Sequence, residues 1–203
     1  MGRPLFDSLQ YPKIHTLHGD TQVSVVPLAK VEHSAVVSFI NRLPSDERIY
    51  LWDDLTDPVI YKRWSSETFP LIVALAAISD DKVITVWTLT QGDHSWTRHI
   101  GSVWGIVEPS WRNRGIAALM VRELLLFAGQ VDIERVVIEL VKPQKGPLGH
   151  FSKVGFEIAA TLKGWTKDSS GRYQDLVILT MKLEPAWRKM EVLLSRYDSI
   201  SGW

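Results

Sequence analysis

Residues 112–117, Arg-Asn-Arg-Gly-Ile-Ala, bring two guanidinium groups, a glycine and a small alanine into one short stretch. Arginine forks onto phosphate oxygens, and Gly115 with Ala117 lets the backbone run close to a ligand. An apolar run, Ile100 to Val107, precedes the stretch, and Ile116, Leu119, Met120, Leu124 and Phe127 follow it at near-helical spacing. The stretch therefore reads as a turn from a strand end into a helix, with Gly129 placed for a left-handed helix cap. The first N–H groups of a helix lack intrahelical partners and carry partial positive charge. Backbone donors in a row, from Arg112, Asn113, Arg114, Gly115, Ile116 and Ala117, suit a diphosphate better than a lone carboxylate. The plainer reading is a solvated basic turn. Two further groups could move protons. Glu139 interrupts the apolar run Arg135 to Val141, where desolvation raises a carboxyl group's affinity for a proton, and the alternative is a solvated strand end paired with Lys142. His99 shares a strand face with Gly101, Val103 and Gly105 and could accept a proton directly or through water, unless it is a hydrogen-bonded structural residue.

The stretch Pro109-Ser110-Trp111-Arg112-Asn113-Arg114-Gly115-Ile116-Ala117 resembles the Arg/Gln-x-x-Gly-x-Gly/Ala signature with which the GNAT superfamily of N-acetyltransferases binds the pyrophosphate of acetyl-coenzyme A. Val137 to Leu140, then Gln144, then Phe151-Ser152-Lys153-Val154-Gly155-Phe156, is similar to the later strand, short helix and Lys-x-Gly-Phe signature of the same superfamily. Both stretches stand in the family's order and at its spacing, and the likeness extends over roughly residues 21 to 183. It implies acetyl-CoA as cosubstrate, no metal, and direct attack of a primary amine in a ternary complex. The acceptor, a protein or peptide amine or a small amine, and the length of the acyl chain are left open. The resemblance also implies backbone contacts from Ile106 and Val107 to the pantetheine arm, and it places Glu139 where bacterial N-terminal acetyltransferases of ribosomal proteins hold a catalytic glutamate. Two positions depart from the family pattern. Phe151 stands where many members have a tyrosine that protonates the leaving thiolate, and Gln144 where many have an asparagine on the pantetheine arm. Phe151 opens the alternative of a non-catalytic acyl-CoA-binding or sensing module.

Acyl transfer to an amine asks the protein to deprotonate the amine, place it and stabilise the oxyanion. An alkyl amine with a pKa of about 10.4 is mostly protonated at neutral pH, which gives Glu139 or His99 a task.

The surrounding chain supplies the frame. Its 203 residues and 45% apolar content suffice for one cored domain, and 23 basic against 23 acidic residues create no global field towards nucleic acid or membranes. No cysteine is present, so thiolate catalysis and thiolate metal sites are excluded, and the histidines have no metal-ligand spacing. There is no apolar core of signal-peptide length near Met1 and no run of about 18 apolar residues, which leads to the expectation of a cytoplasmic protein, with a homodimer open. Residues 1–20 read as an extended arm, 21–183 as the acyltransferase domain, and 184–203 as a C-terminal helix and tail.

Within the domain, Val23, Val25 and Val26 predict a first strand and Ala29 to Leu43 a helix. Asp57-Pro58 caps a second helix to Trp64. Phe69 to Ile78 and Lys82 to Thr90 flank Ser79-Asp80-Asp81 as a hairpin. Trp96 to Val107 forms the next strand, where Gly101 and Gly105 mark a bulge, a ligand against the backbone, or only a weak strand. Arg135 to Val141 reads as a strand buried on both faces, and Ile158 to Trp165 with Tyr173 to Leu183 as a last hairpin. The expected architecture is α+β: a GNAT-like mixed, mostly antiparallel sheet with splayed middle strands, flanked by helices.

Overall fold

The computed structural model describes residues 10–17, 20–66, 72–141 and 151–183. Eight strands form one sheet in the order β1-β2-β3-β4-β5-β6-β8-β7. They are β1 (Lys13–Leu17), β2 (Thr21–Pro27), β3 (Ile72–Ser79), β4 (Lys82–Gln91), β5 (Ile100–Val107), β6 (Arg135–Val141), β7 (Glu157–Lys167) and β8 (Tyr173–Lys182). Helices α1 (His33–Arg42) and α2 (Pro58–Trp64) lie between β2 and β3, and α3 (Ile116–Ala128) links β5 to β6. Every neighbouring pair is antiparallel except β5 and β6, which need the α3 crossover to run the same way.

Two apolar clusters fill the two faces. One gathers α3 with Val73, Leu75, Leu89, Val103, Val136 and Ile138. The other packs α1 and Trp64 against Ala74, Ala76, Val86 and Trp104. Strand alternation divides the residues: odd positions of β5 face α3 and even positions face α1 and α2. Among the described residues no helix is long and apolar enough to cross a membrane.

Local signals account for much of this. The Asp57 carboxylate accepts the Val59 N–H at 2.7 Å, with Pro58 as the first residue of α2. Asp80 and Asp81 both adopt positive φ, as a two-residue hairpin turn requires. Other expectations change. Gly129 is right-handed, with φ of −67°, and the chain turns left-handed only at Asp132 (φ 55°). The carbonyls of Phe127 and Ala128 hold the Gln130 and Val131 N–H groups, so the last turn is extended rather than closed at the glycine. Strand β5 begins at Ile100 instead of Trp96, because the chain from 93 to 99 is spent on turns. Residues 185–197, read as a C-terminal helix, lie outside the described residues, as do most of the arm and Gln144.

The arm itself contains a strand, since Lys13–Leu17 pairs with β2. Two of its three inward side chains, Lys13 and His15, are polar and only Leu17 is apolar, which hides the apolar period of two. Lys13 and His15 serve Glu123, which α3 buries in the core at 1% exposure. Tyr11 and Lys13 donate to its carboxylate at 2.7 Å each, and His15 Nε2 stands 3.4 Å away. Burial alone raises the Glu123 pKa, but the adjacent His15 imidazole, the hydrogen bonds from Lys13 and Tyr11 and the Lys13 charge outweigh it and bring it from 4.5 to about 2. A depressed carboxylate stabilises the fold above its unfolded pKa and loses that contribution as pH falls through the folded one. Stability should therefore drop by up to about 3 kcal/mol between pH 4.5 and about 2 on account of this group. Thermal melts of the parent and Glu123→Gln across that window check it, and the parent's melting temperature should fall more steeply. Parallel curves would show that the cluster contributes no acid dependence.

Candidate functional site

Strands β5 and β6 pair only from Ile100 opposite Arg135 to Val103 opposite Ile138. Beyond Val103 they part, although β5 continues to Val107 and β6 to Val141. A cavity of about 760 Å³ occupies the opening. Trp87, Phe151, Ile116 and Ala117 line it from the α3 side, and Trp52, Trp104 and Glu139 from the other. The split thus connects the two faces of the sheet.

Along β5 the His99 carbonyl accepts from the Glu134 and Arg135 N–H groups, so odd residues turn their backbone groups towards β6. By that alternation Gly105 and Val107 present theirs to the gap. Even residues turn towards β4, and Ile106 O also accepts the Thr85 hydroxyl at 2.7 Å. Of the expected pantetheine partners, Val107 therefore turns its backbone towards the opening, although its carbonyl accepts from Arg112, and Ile106 borders it while its carbonyl is engaged with the Thr85 hydroxyl of β4.

Gly105 has a cause beyond those anticipated, and a bulge is not it. The β4–β5 register is unbroken from Thr85 opposite Val107 to Gln91 opposite Gly101, so no bulge is present. Trp87 stands directly opposite Gly105, and a Cβ there would come within 2.0 Å of the indole. The glycine makes room for a tryptophan that floors the cavity. Trp87 is held by its Nε1–H on Thr85 Oγ1 at 2.7 Å and by an edge-to-face contact with Phe151 at 6.4 Å. Phe151 is 2% exposed and also packs on Phe156, so it serves as a wall.

At the wide end of the gap, a short helical turn at Pro109–Trp111 leads into the basic turn. Asn113 (φ 60°) and Gly115 (φ 83°) are both left-handed, and α3 starts at Ile116. A helix N-terminus entered by left-handed residues exposes successive N–H groups on one concave side, which is a nest for anions. Arg112, Asn113, Gly115, Ile116 and Ala117 line the cavity. The two arginines differ in a way that spacing did not foresee. Arg112 is anchored, with its guanidinium forked on Glu47 and donating to the Val107 carbonyl at 3.1 and 3.2 Å. Arg114 is exposed, its guanidinium 5.1 Å from the Trp111 ring centre, and it is not among the residues that line the cavity. Glu108 accepts from Arg42 at 3.0 Å and from Ser110 at 3.2 Å, tying α1 to the turn.

Burial along β6 covers Val136 and Ile138 and leaves Glu139 exposed, which corrects the expectation of a strand buried on both faces. The carboxylate lies on the face away from α3, and no described residue hydrogen-bonds or ion-pairs with it. It is available rather than desolvated. His99 precedes β5 at its opposite end, roughly 25 Å of extended chain from Val107, and is not among the residues that line the cavity. The structure brings Glu139 to the opening and leaves His99 away from it. Sequence reasoning overlooked Glu47, Trp52, Trp87, Trp104 and Trp165, all of which line the cavity. Nine tryptophans in 203 residues were the available signal. Among the described residues no cluster of three or more His, Asp or Glu could hold a metal ion.

A profile described as the acetyltransferase (GNAT) family matches residues 37–156. Among solved structures, the GNAT domain of S. lividans PAT is similar over 86% of this chain and 100% of its own, with 17% identity and a TM-score of 0.68. A putative acetyltransferase from Salmonella typhimurium, solved with acetyl-CoA, is 13% identical with a TM-score of 0.66, covering 80% of this chain and 94% of that one. The ribosomal-protein-S18-alanine N-acetyltransferase from Escherichia coli is 12% identical with a TM-score of 0.60 over the same shares. At such identities these likenesses establish the fold alone. No curated protein sequence matches.

Proposed function

Because the chain belongs to the acetyltransferase (GNAT) family, we propose that it moves an acetyl group from acetyl-CoA to a primary amine by direct attack in a ternary complex. The observation that carries this reading is the gap between β5 and β6, which leads from the left-handed turn before α3 to the exposed Glu139 carboxylate. The turn fits a diphosphate: it offers successive backbone N–H groups, a glycine with φ of 83° and, beside them, the exposed Arg114 guanidinium. The opening fits a pantetheine arm, since it is apolar on the Trp87 and Phe151 side and edged by the part of β5 that β6 does not pair.

Acetyl-CoA, when bound, supplies a thioester carbonyl to the attacking amine. The protein's residues provide position and proton transfer. Arg112 to Ala117 would hold the diphosphate, and the Arg112 pair with Glu47 fixes the turn against the chain ahead of α2. Glu139, on the far side of the gap, accepts the amine proton directly or through water. Phe151 has no proton to give, so release of the thiolate relies on solvent; a thiol with a pKa of about 8.5 leaves adequately without a side-chain acid.

Phe151 also favours a second reading, an acyl-CoA-binding module without turnover. Thiol release from acetyl-CoA, measured against a panel of primary amines, tests the two. Amine-dependent release supports transfer. Tight coenzyme binding with no release above background across the panel would leave the binding module.

A further inference from the structure

The cavity wall on the Glu139 side carries information about the acceptor. Resting on the acyl-transfer reading above, we infer that the acceptor is a small primary amine with a single positive charge, joined to an aromatic body. Two independent features of the wall support this.

The first is charge. Among the described residues lining the cavity the carboxylates are Glu47 and Glu139, and Glu47 is neutralised by the forked Arg112. One carboxylate, Glu139, is left to meet a cation. A polyamine entering the same opening would bring ammonium groups that find no partner and lose water, which selects against it.

The second is the aromatic surface around that carboxylate. Trp104 comes from the same face of the sheet as Glu139, and its Nε1–H donates to the Tyr50 carbonyl at 3.2 Å. Trp64 meets it edge-on at 5.9 Å, so the Trp104 indole is fixed from two sides. Trp52 stacks over Trp104 at 6.0 Å and is 43% exposed, and Trp165, from β7, is 67% exposed. Both exposed indoles line the cavity. Large rings left open in a cavity with one unpaired carboxylate suit a ligand that stacks its own ring on them, while the indole faces also attract the ammonium group before Glu139 deprotonates it. A straight alkyl amine would satisfy the charge and leave the rings uncovered.

The test compares phenethylamine, n-butylamine, spermidine and a short peptide beginning with phenylalanine as acceptors, reading thiol release from acetyl-CoA as kcat/KM. Phenethylamine should exceed n-butylamine and spermidine by about tenfold or more. Trp52→Ala and Trp165→Ala alter exposed side chains, and their folding is checked by circular dichroism. Each should bring the ratio of phenethylamine to n-butylamine towards one. Equal rates for all the amines, or a preference for spermidine or the peptide, would overturn the inference while leaving acyl transfer standing. Should no amine turn over, fluorescence titration of the coenzyme A-saturated protein with phenethylamine decides the question. Saturable quenching that both tryptophan variants weaken supports the aromatic site and removes the acyl-transfer reading. Absence of quenching overturns the site.

Discussion

Gly115→Glu is expected to abolish coenzyme A binding, with calorimetry showing no heat of saturation at concentrations that saturate the parent. Two effects act together. Gly115 has φ of 83°, a conformation that costs a residue with a Cβ roughly 1–2 kcal/mol, so the nest that presents the α3 N–H groups loses its shape. The new carboxylate then competes with the diphosphate for those same donors and repels it in a cavity lined by Ile116 and Ala117. Gly115→Ala separates the terms, since it adds the strain without the charge and should weaken binding by about thirtyfold at most. Parent-like affinity of Gly115→Glu would mean that the diphosphate rests elsewhere. Arg114→Ala should act more mildly, because an exposed cation adds to backbone donors without shaping them.

What the sequence made legible was whatever a few neighbouring residues decide. The Asp57-Pro58 start of α2 is a local hydrogen bond with a fixed φ beside it. The Asp80-Asp81 turn is a local backbone choice, and the turn before α3 could be placed because glycine there serves its own dihedral angle. The misreadings share a cause, which is a partner distant in the chain. Gly105 looked like a weak point of β5 and is instead the space beneath Trp87, a residue on another strand. Arg112 looked like a free cation because Glu47, its partner, comes 65 residues earlier. The β1 strand escaped notice because its polar inner face answers to Glu123 on α3. His99 looked like a face partner of Gly101, yet it lies in the turn before β5 and the gap opens only at the strand's other end, and no period of two reveals where two neighbouring strands part.

Glu139→Gln is expected to lower kcat by about a hundredfold or more near neutral pH while coenzyme A binding stays as in the parent. The change keeps the size and the hydrogen-bonding reach of the side chain and removes its basicity. Because Glu139 is exposed and unpaired among the described residues, the substitution breaks no buried network and stability should hold. The pH profile separates a base from a mere binding group. If Glu139 takes the proton of the attacking amine, the variant's rate should climb towards the parent's as pH approaches the amine's own pKa, since solvent then supplies the free base. If Glu139 only attracts the ammonium form, the loss should appear in KM and persist at low pH, where that form dominates. Turnover equal to the parent's across the whole range would remove Glu139 from the mechanism. Water or the β5 backbone at Gly105 and Val107 would then be left to order the amine at the gap, with its proton lost to solvent before attack.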